Sequence, residues 1–328
     1  MQSFSQAKIA HITSIIPSKK CFNRKSEHFS EREINKTLKQ IGVETRYIVD
    51  KDKNEKISDL FLKAANETLK ALQWDKESID AIIVVSQSNE FRFPAMACYL
   101  QGKLGLRQKD LFAFDINLGC SGYVYGLNVA YNYISNGLNR ILLLVGDVTS
   151  NVIDPNARDV ALLFGDGVSC TAIEKKISQS YFCFKTLGEQ YDCILAPYGS
   201  NDYGGGYMKM NGVDVFDFTL KHIPLEIDRI LQFSSLKKES ISQFYFHQAN
   251  AFLLTYLGNK LNIQDKLPIN INNFGNTSSN SIPLLISDTK DKDYCNVILM
   301  GFGVGLSVAT CMLETLDCTC ALFYEGSL

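Results

Sequence analysis

The chain alternates short apolar runs with longer stretches in which apolar residues return every third or fourth position. Runs at 82–85, 112–116, 141–145, 244–246 and 297–300, rich in Ile, Val, Leu and Phe, predict buried strands. Between them, 57–72 places Leu60, Phe61, Ala64, Ala65, Leu69 and Leu72 on one face, the spacing of a helix packed on a core. Segments 121–136 and 216–233 carry the same period. Strands alternating with helices predict an α/β fold.

The pattern also repeats. IDAIIVVSQSN, ending at Asn89, resembles ISQFYFHQAN, ending at Asn250; FDINLGCSG around Gly119 resembles INNFGNTSS around Gly275; RILLLVGD around Gly146 resembles NVILMGFG around Gly301. Three matches in order, at offsets of 155 to 161 residues, predict a duplicated α/β unit. The boundary is expected near residue 175, in the lysine-containing stretch 174–178, which gives halves 1–175 and 176–328. No low-complexity linker lies there, so the halves are expected to pack closely.

Composition narrows the picture in a few places. The length of 328 residues would accommodate about two domains, and with 46% hydrophobic and 21% charged residues the chain can bury a large core. A net charge of -2 supplies no basic field for a nucleic-acid backbone, so no nucleic-acid partner is expected. No apolar run approaches the roughly 20 residues of a membrane span, and the N-terminus lacks a signal-peptide pattern. The chain is expected to stay in solution without a membrane partner. Its ten cysteines contain no C-x-x-C pair and are expected to be reduced thiols in a cytoplasmic enzyme.

The sharpest chemical signal is Asn117-Leu118-Gly119-Cys120-Ser121-Gly122, where an apolar strand meets a glycine turn and then a helix-forming segment. A thiol at a helix start meets unpaired backbone N–H groups and the positive dipole end, which favour the nucleophilic thiolate. The competing reading is a small buried hydrophobe, the usual fate of a free cysteine. Of the four histidines, His11, His28 and His222 have no companion motif. His247 ends the run Phe244-Tyr245-Phe246 where strand gives way to loop, the place functional groups gather in open α/β sheets. Asn276, in Asn273-Phe274-Gly275-Asn276-Thr277-Ser278, reads either as a capped loop or as the repeat's counterpart of Cys120. Gly301, Gly303 and Gly305 alternate and lack the spacing and following acid of a dinucleotide loop. Gly165-Asp166-Gly167 and Gly204-Gly205-Gly206 are read as turns.

With these motifs in order, the chain resembles the ketosynthase III (β-ketoacyl-acyl-carrier-protein synthase III) family of the thiolase-like superfamily along almost its whole length. The resemblance rests on GCSG at Cys120, HQAN at His247, GNTS at Asn276, FGDG at 164–167, NG-x-x-VF at 211–216 and GFGVG at 301–305. It implies a five-layered αβαβα fold from two similar halves, and a homodimer in which Phe93, before Pro94, reaches across the interface. It implies that Cys120 accepts an acyl group, with the backbone N–H groups of Cys120 and Val304 as oxyanion hole. His247 and Asn276 would then hold the enolate oxygen formed when a malonyl thioester on acyl carrier protein loses carbon dioxide. No tightly bound cofactor and no metal are implied. The thioesters of coenzyme A or carrier-protein phosphopantetheine are substrates.

The match departs at the tunnel mouth, where the family carries a Trp and several Arg for coenzyme A. Aligned on the motifs, those places fall near Lys36 and Gln40 and at Asn151 and Phe252, which do not supply Arg's forked donors. A carrier-delivered acyl chain, or another thioester of a specialised pathway, therefore competes with an acetyl-CoA primer. Lys103, Arg107 and Lys109 read as a solvated face or as a docking rim for an acidic carrier. Two further readings stay in view: transfer of the acyl group to a sugar hydroxyl or amine without decarboxylation, and a silent partner subunit of the same fold. The segment after Leu316, with Cys318 and Cys320, extends past the family's final strand, and no further ligands are placed to make a metal site of it.

Overall fold

The computed structural model describes residues 1–107, 110–197 and 206–326. The chain opens with β1 (Gln2–Phe4), β2 (Ala7–Ile16), β3 (Lys19–Phe22), α1 (Glu31–Ile41), β4 (Thr45–Ile48), α2 (Ile57–Leu72), β5 (Ala81–Val85) and α3 (Met96–Leu104). It continues with β6 (Phe112–Ile116), α4 (Gly122–Ser135), β7 (Arg140–Asp147), α5 (Arg158–Ala161), β8 (Gly167–Lys175), β9 (Ser180–Thr186), β10 (Ile194–Leu195) and β11 (Lys209–Met210). Then come α6 (Gly212–Ser234), β12 (Gln243–Phe246), α7 (Ala251–Leu261), α8 (Ile271–Phe274), α9 (Ser281–Thr289), β13 (Tyr294–Gly303), β14 (Ser307–Leu316) and β15 (Thr319–Tyr324).

Two sheets carry the architecture, in the orders β15-β2-β8-β7-β5-β6 and β1-β9-β14-β13-β12. The stretch β2-β8-β7-β5 repeats as β9-β14-β13-β12, with the same mixture of one parallel and one antiparallel neighbour around β7 and β13. The continuous apolar run of β5 follows from burial on both faces, all five of its residues being fully buried, whereas β6 at the sheet edge is only partly buried. Between the sheets lie α4 and α9, whose Tyr123, Leu127, Tyr131, Ile282, Leu285 and Ile286 share one core with Ile83 and Val85 of one sheet and Leu299 and Ala309 of the other. On the outer faces, α2 and α3 pack on the first sheet, and α6 and α7 on the second. The layers read αβαβα. Each large apolar side chain buried in them contributes on the order of 2 kcal/mol from water exclusion.

The chain passes from the first sheet to the second between Lys175 and Ser180. The termini cross the other way. β1 pairs with β9 in the second sheet, and β15 pairs in parallel with β2 in the first. The repeat is also imperfect: the first copy enters its site from strand β6, whereas the matching place in the second is the single helical turn α8, so that sheet ends at β12. Asn270, Asn272 and Asn273 are poor strand formers, and the Asn270 side chain is spent on Asp288.

Candidate active site

The Cys120 turn joins β6 to α4 with no loop to spare, and α4 begins two residues later at Gly122. Cys120 is 8% exposed. Its sulfur sits against Gly303, where an added Cβ would come within 2.9 Å of it, and the positive φ of +146° there also favours glycine. The backbone N–H groups of Val304 and of Cys120 itself, and the Ser278 hydroxyl, are within hydrogen-bond reach of the sulfur. These donors favour the thiolate, but burial opposes them and wins, pushing the thiol up to about 11. The negative charge of Asp147 adds to the rise. The expectation of a lowered thiol pKa at a helix start is therefore corrected: desolvation outweighs the dipole.

HQAN resolves into one ring and two side-chain fasteners. Asn250 caps α7, accepting from the Leu253 N–H at 2.7 Å. Gln248 is tied at both ends, donating to the Phe246 carbonyl at 3.0 Å and accepting from the Asn270 N–H at 3.0 Å. His247 turns its ring to the cavity, which Ala249 and Asn250 also line. Its Nδ1 lies 2.6 Å from the Ser281 hydroxyl, and its ring packs edge-on against Phe302. Burial holds its pKa down to about 3, with a Ser278 backbone hydrogen bond opposing the shift, so the ring is neutral.

Asn276 is aimed by its own loop. Its Oδ1 accepts from the Ser278 N–H at 2.9 Å, which leaves the Nδ2 hydrogens as the side chain's donors. The backbone on either side is clamped by the FGDG segment: Asn276 N–H donates to the Leu163 carbonyl at 2.9 Å, and Gly165 N–H donates to the Asn276 carbonyl at 3.0 Å. The segment read as a simple turn is thus the cradle of the Asn276 loop. Asp166 anchors that cradle in turn, accepting from the N–H groups of Val49 and Ser150, each at 3.0 Å. Gly204 and Gly205 lie outside the described residues, as does Lys109.

Cys120, His247, Asn276 and Val304 meet on one cavity of about 410 Å³. Asp147, Ser278 and Gln87, which share it, were not singled out from sequence. Asp147 ends the repeated run RILLLVGD, where no chemistry is signalled; Ser278 sits inside a recognised motif, two residues past the asparagine. Much of the remaining wall comes from the apolar side chains of Ile194, Leu195, Met208, Met210, Val215 and Phe216. Phe93 does not line the cavity of its own chain and is 84% exposed. Phe252 is exposed at 57% and stacks on Phe216, with centroids 6.2 Å apart. Lys36 and Gln40 share a surface hollow on α1, away from this cavity. Arg158, not expected from the alignment, pairs with Glu33 of α1 at 3.8 Å.

The other candidates lie elsewhere. His11 is buried between the hydroxyls of Thr319 and Thr13, His28 is exposed beside Asn156, and His222 is buried against Phe218 on α6. All ten cysteines are free thiols. Lys103 lies over the Tyr99 ring, and Arg107 is exposed. No helix among the described residues is long and apolar enough to cross a membrane.

Comparison with known proteins fits this geometry. The family model described as 3-oxoacyl-[acyl-carrier-protein] synthase III matches residues 114–188, and its C-terminal counterpart matches 231–315. A "Putative 3-oxoacyl-[acyl-carrier-protein] synthase 3" from Campylobacter jejuni is 36% identical over 96% of this chain and 95% of its own. The chain belongs to the 3-oxoacyl-[acyl-carrier-protein] synthase III family. A "Beta-ketoacyl-[acyl-carrier-protein] synthase III" from Lactococcus lactis is 30% identical over 94% of this chain and 99% of its own. The crystal structure of a 3-oxoacyl-(acyl-carrier-protein) synthase from Burkholderia xenovorans superposes with a TM-score of 0.93 at 34% identity, covering 99% of this chain and 98% of that one. Membership in the synthase III family makes the chain an enzyme of the acyltransferase class with the thiolase-like fold.

Proposed function

We propose that the chain is a condensing enzyme. Cys120 attacks an acyl thioester, the sulfur forming a bond to the carbonyl carbon and the original thiol leaving. The backbone N–H groups of Cys120 and Val304 hold the oxygen of the tetrahedral intermediate. A malonyl group on acyl carrier protein then loses carbon dioxide, and the electrons of the broken C–C bond form an enolate that attacks the acyl-Cys120 carbonyl. The product is a β-ketoacyl thioester with the thiol restored.

The observation that carries this reading is the aimed amide of Asn276. With Oδ1 committed to Ser278, the Nδ2 group is a donor on the cavity that holds Cys120 and His247. An enolate oxygen needs donors, whereas transfer to an alcohol or amine needs a base. His247 joins it on the same cavity, its ring held in place by the contact of Nδ1 with the Ser281 hydroxyl at 2.6 Å. The neutral ring suits hydrogen bonding and not permanent ion pairing.

The apolar wall fits an acyl hydrocarbon chain. Phe252 and Phe216, stacked where cations for coenzyme A phosphates were sought, favour delivery on a carrier, in fatty acid synthesis or a specialised branch of it. Arg158 leaves one guanidinium beside α1. Lys103 and the exposed Arg107 supply basic charge for an acidic carrier. We read the enzyme as a cytoplasmic homodimer with Phe93 reaching into its partner and with no tightly bound cofactor.

Incubation with acyl and malonyl thioesters, each on coenzyme A and on carrier protein, tests the reading. Mass on Cys120 and released carbon dioxide are followed together. Acylation of Cys120 without release of carbon dioxide, given malonyl carrier protein, overturns condensation in favour of simple acyl transfer.

A further inference from the structure

Asp147 stands between the two loops that carry the chemistry. It ends β7, is 2% exposed and borders the cavity. Its two oxygens serve different segments. Oδ1 accepts from the Gln87 N–H at 2.7 Å and from the hydroxyls of Ser88 and Ser86 at 3.1 and 3.3 Å, all in the segment that follows β5. Oδ2 accepts from the Ser279 hydroxyl at 2.8 Å and the Ser279 N–H at 3.4 Å, in the second half. Each side leads on to a loop of the site. Gln87 donates through Nε2 to Asn117 Oδ1 at 3.0 Å, and a Cβ added to Gly119 would come within 2.5 Å of Gln87 Oε1. Asn117 and Gly119 belong to the Cys120 turn. Ser279 lies between Asn276 and Ser281, the serine that meets His247 Nδ1. Its neighbour Ser278 sits at φ +52°, a left-handed conformation that a serine keeps where its surroundings impose it. The loop is also tied to the first half at Asn276, through the FGDG segment, and at Asn280, which accepts from the Ser169 hydroxyl. Those two ties lead to β8 and the segment before it. The Asp147 tie leads to the Cys120 turn.

Condensation is the step that uses both loops at once. Acylation needs Cys120 and its backbone donors, and decarboxylation needs His247 and Asn276. The new C–C bond forms only when the enolate carbon and the acyl carbon meet at about 3 to 3.5 Å. We propose that Asp147 is a positioning residue that sets this separation, tying the Ser279 loop to the segment braced on the Cys120 turn. The inference rests on the condensing reading and names what aligns its two reactants. With the tie cut, the malonyl C–C bond still breaks and carbon dioxide still leaves, but the enolate carbon meets the acyl group less often. The stranded enolate then takes a proton from water, and acetyl carrier protein departs while Cys120 keeps its acyl group.

The test is a stoichiometry. The full chain is acylated with the acetyl or hexanoyl thioester of N-acetylcysteamine and then given malonyl carrier protein, and carbon dioxide and β-ketoacyl carrier protein are counted together. The wild-type ratio of the two is expected to be near one. In Asp147→Asn an amide N–H2 replaces one acceptor and has to face a donor, so one side of the tie opens. The ratio is expected to rise to roughly ten, with acylation within about threefold of wild type. Ser279→Ala, which leaves Asp147 and its bond to Gln87 in place, is expected to raise the ratio to about three. The double variant is expected to match Asp147→Asn, since both substitutions cut one tie. A disturbed fold lowers every rate by the same folded fraction and leaves the ratio at one. A ratio of one in either variant therefore overturns the assignment, whatever the rate, and Ser279→Ala decides alone where Asp147→Asn does not fold. Failure of the wild-type chain to yield β-ketoacyl product overturns the condensing reading itself, and shows before any substitution is made.

Discussion

The turn carrying Cys120 and the loop carrying Asn276 stand at matching places in the two halves, yet they are held in opposite ways. The Cys120 turn is short and takes its chemical surroundings from the other half: the bare Cα of Gly303, the N–H of Val304 and the hydroxyl of Ser278. The Asn276 loop is longer, fixes its own amide through Ser278, and is clamped from behind by the FGDG segment of the first half. A nucleophile's reactivity depends on what presses against it, so neighbours set it. A donor's usefulness depends on direction, so its own backbone sets that. Duplication supplied two equivalent loop positions, and the difference in how each is held divides bond making from charge stabilisation.

The comparison breaks most severely at the sulfur. Cys120→Ala is expected to abolish covalent acylation, read as loss of the acyl mass increment on the intact chain. On the other loop, Asn276→Ala and His247→Ala are expected to leave acylation within about threefold while slowing decarboxylation of malonyl carrier protein by roughly 100- to 1,000-fold. Equal loss of both half-reactions would erase the division of labour. Ser281→Ala is expected to act one step back, lowering decarboxylation about tenfold by freeing the ring tautomer of His247.

The smallest effects are in pH. The raised thiol makes alkylation of Cys120 keep climbing through pH 9 and level near 11, and a plateau below 9 would show that the dipole beats burial after all. His247 works the other way. Its folded pKa of about 3 lies below its ordinary 6.5, so the unfolded chain binds a proton that the folded chain refuses. Its contribution to stability is complete above 6.5 and declines as pH falls towards 3, which denaturant titrations at stepped pH would register.

Much of this was legible in the sequence, because apolar periodicity speaks plainly where both faces of an element are apolar. The 57–72 spacing is α2, and the strand runs fall inside β5, β6, β7, β12 and β13. β8 escaped notice since its interior reads as polar: Ser169 and Thr171 are fully buried, bonded to Ser14 and Tyr123 inside the fold. The same masking hid Asp147 and Ser278, whose importance lies in whom they touch across the halves. The cavity wall from Ile194 to Phe216 was equally silent, as apolar side chains look the same in sequence whether they fill a core or line a void.

The exchange of terminal strands has a temporal meaning. β15 is the outermost strand of the sheet that presents Cys120, and it follows every other strand of that sheet along the chain. Until it docks, residues 11–16 of β2 offer an open edge of unpaired backbone, the kind of surface on which strands from other molecules add. The sheet bearing the nucleophile is therefore closed only after the whole of the other sheet has been made, and a protein shortened at Leu316 would present that edge permanently.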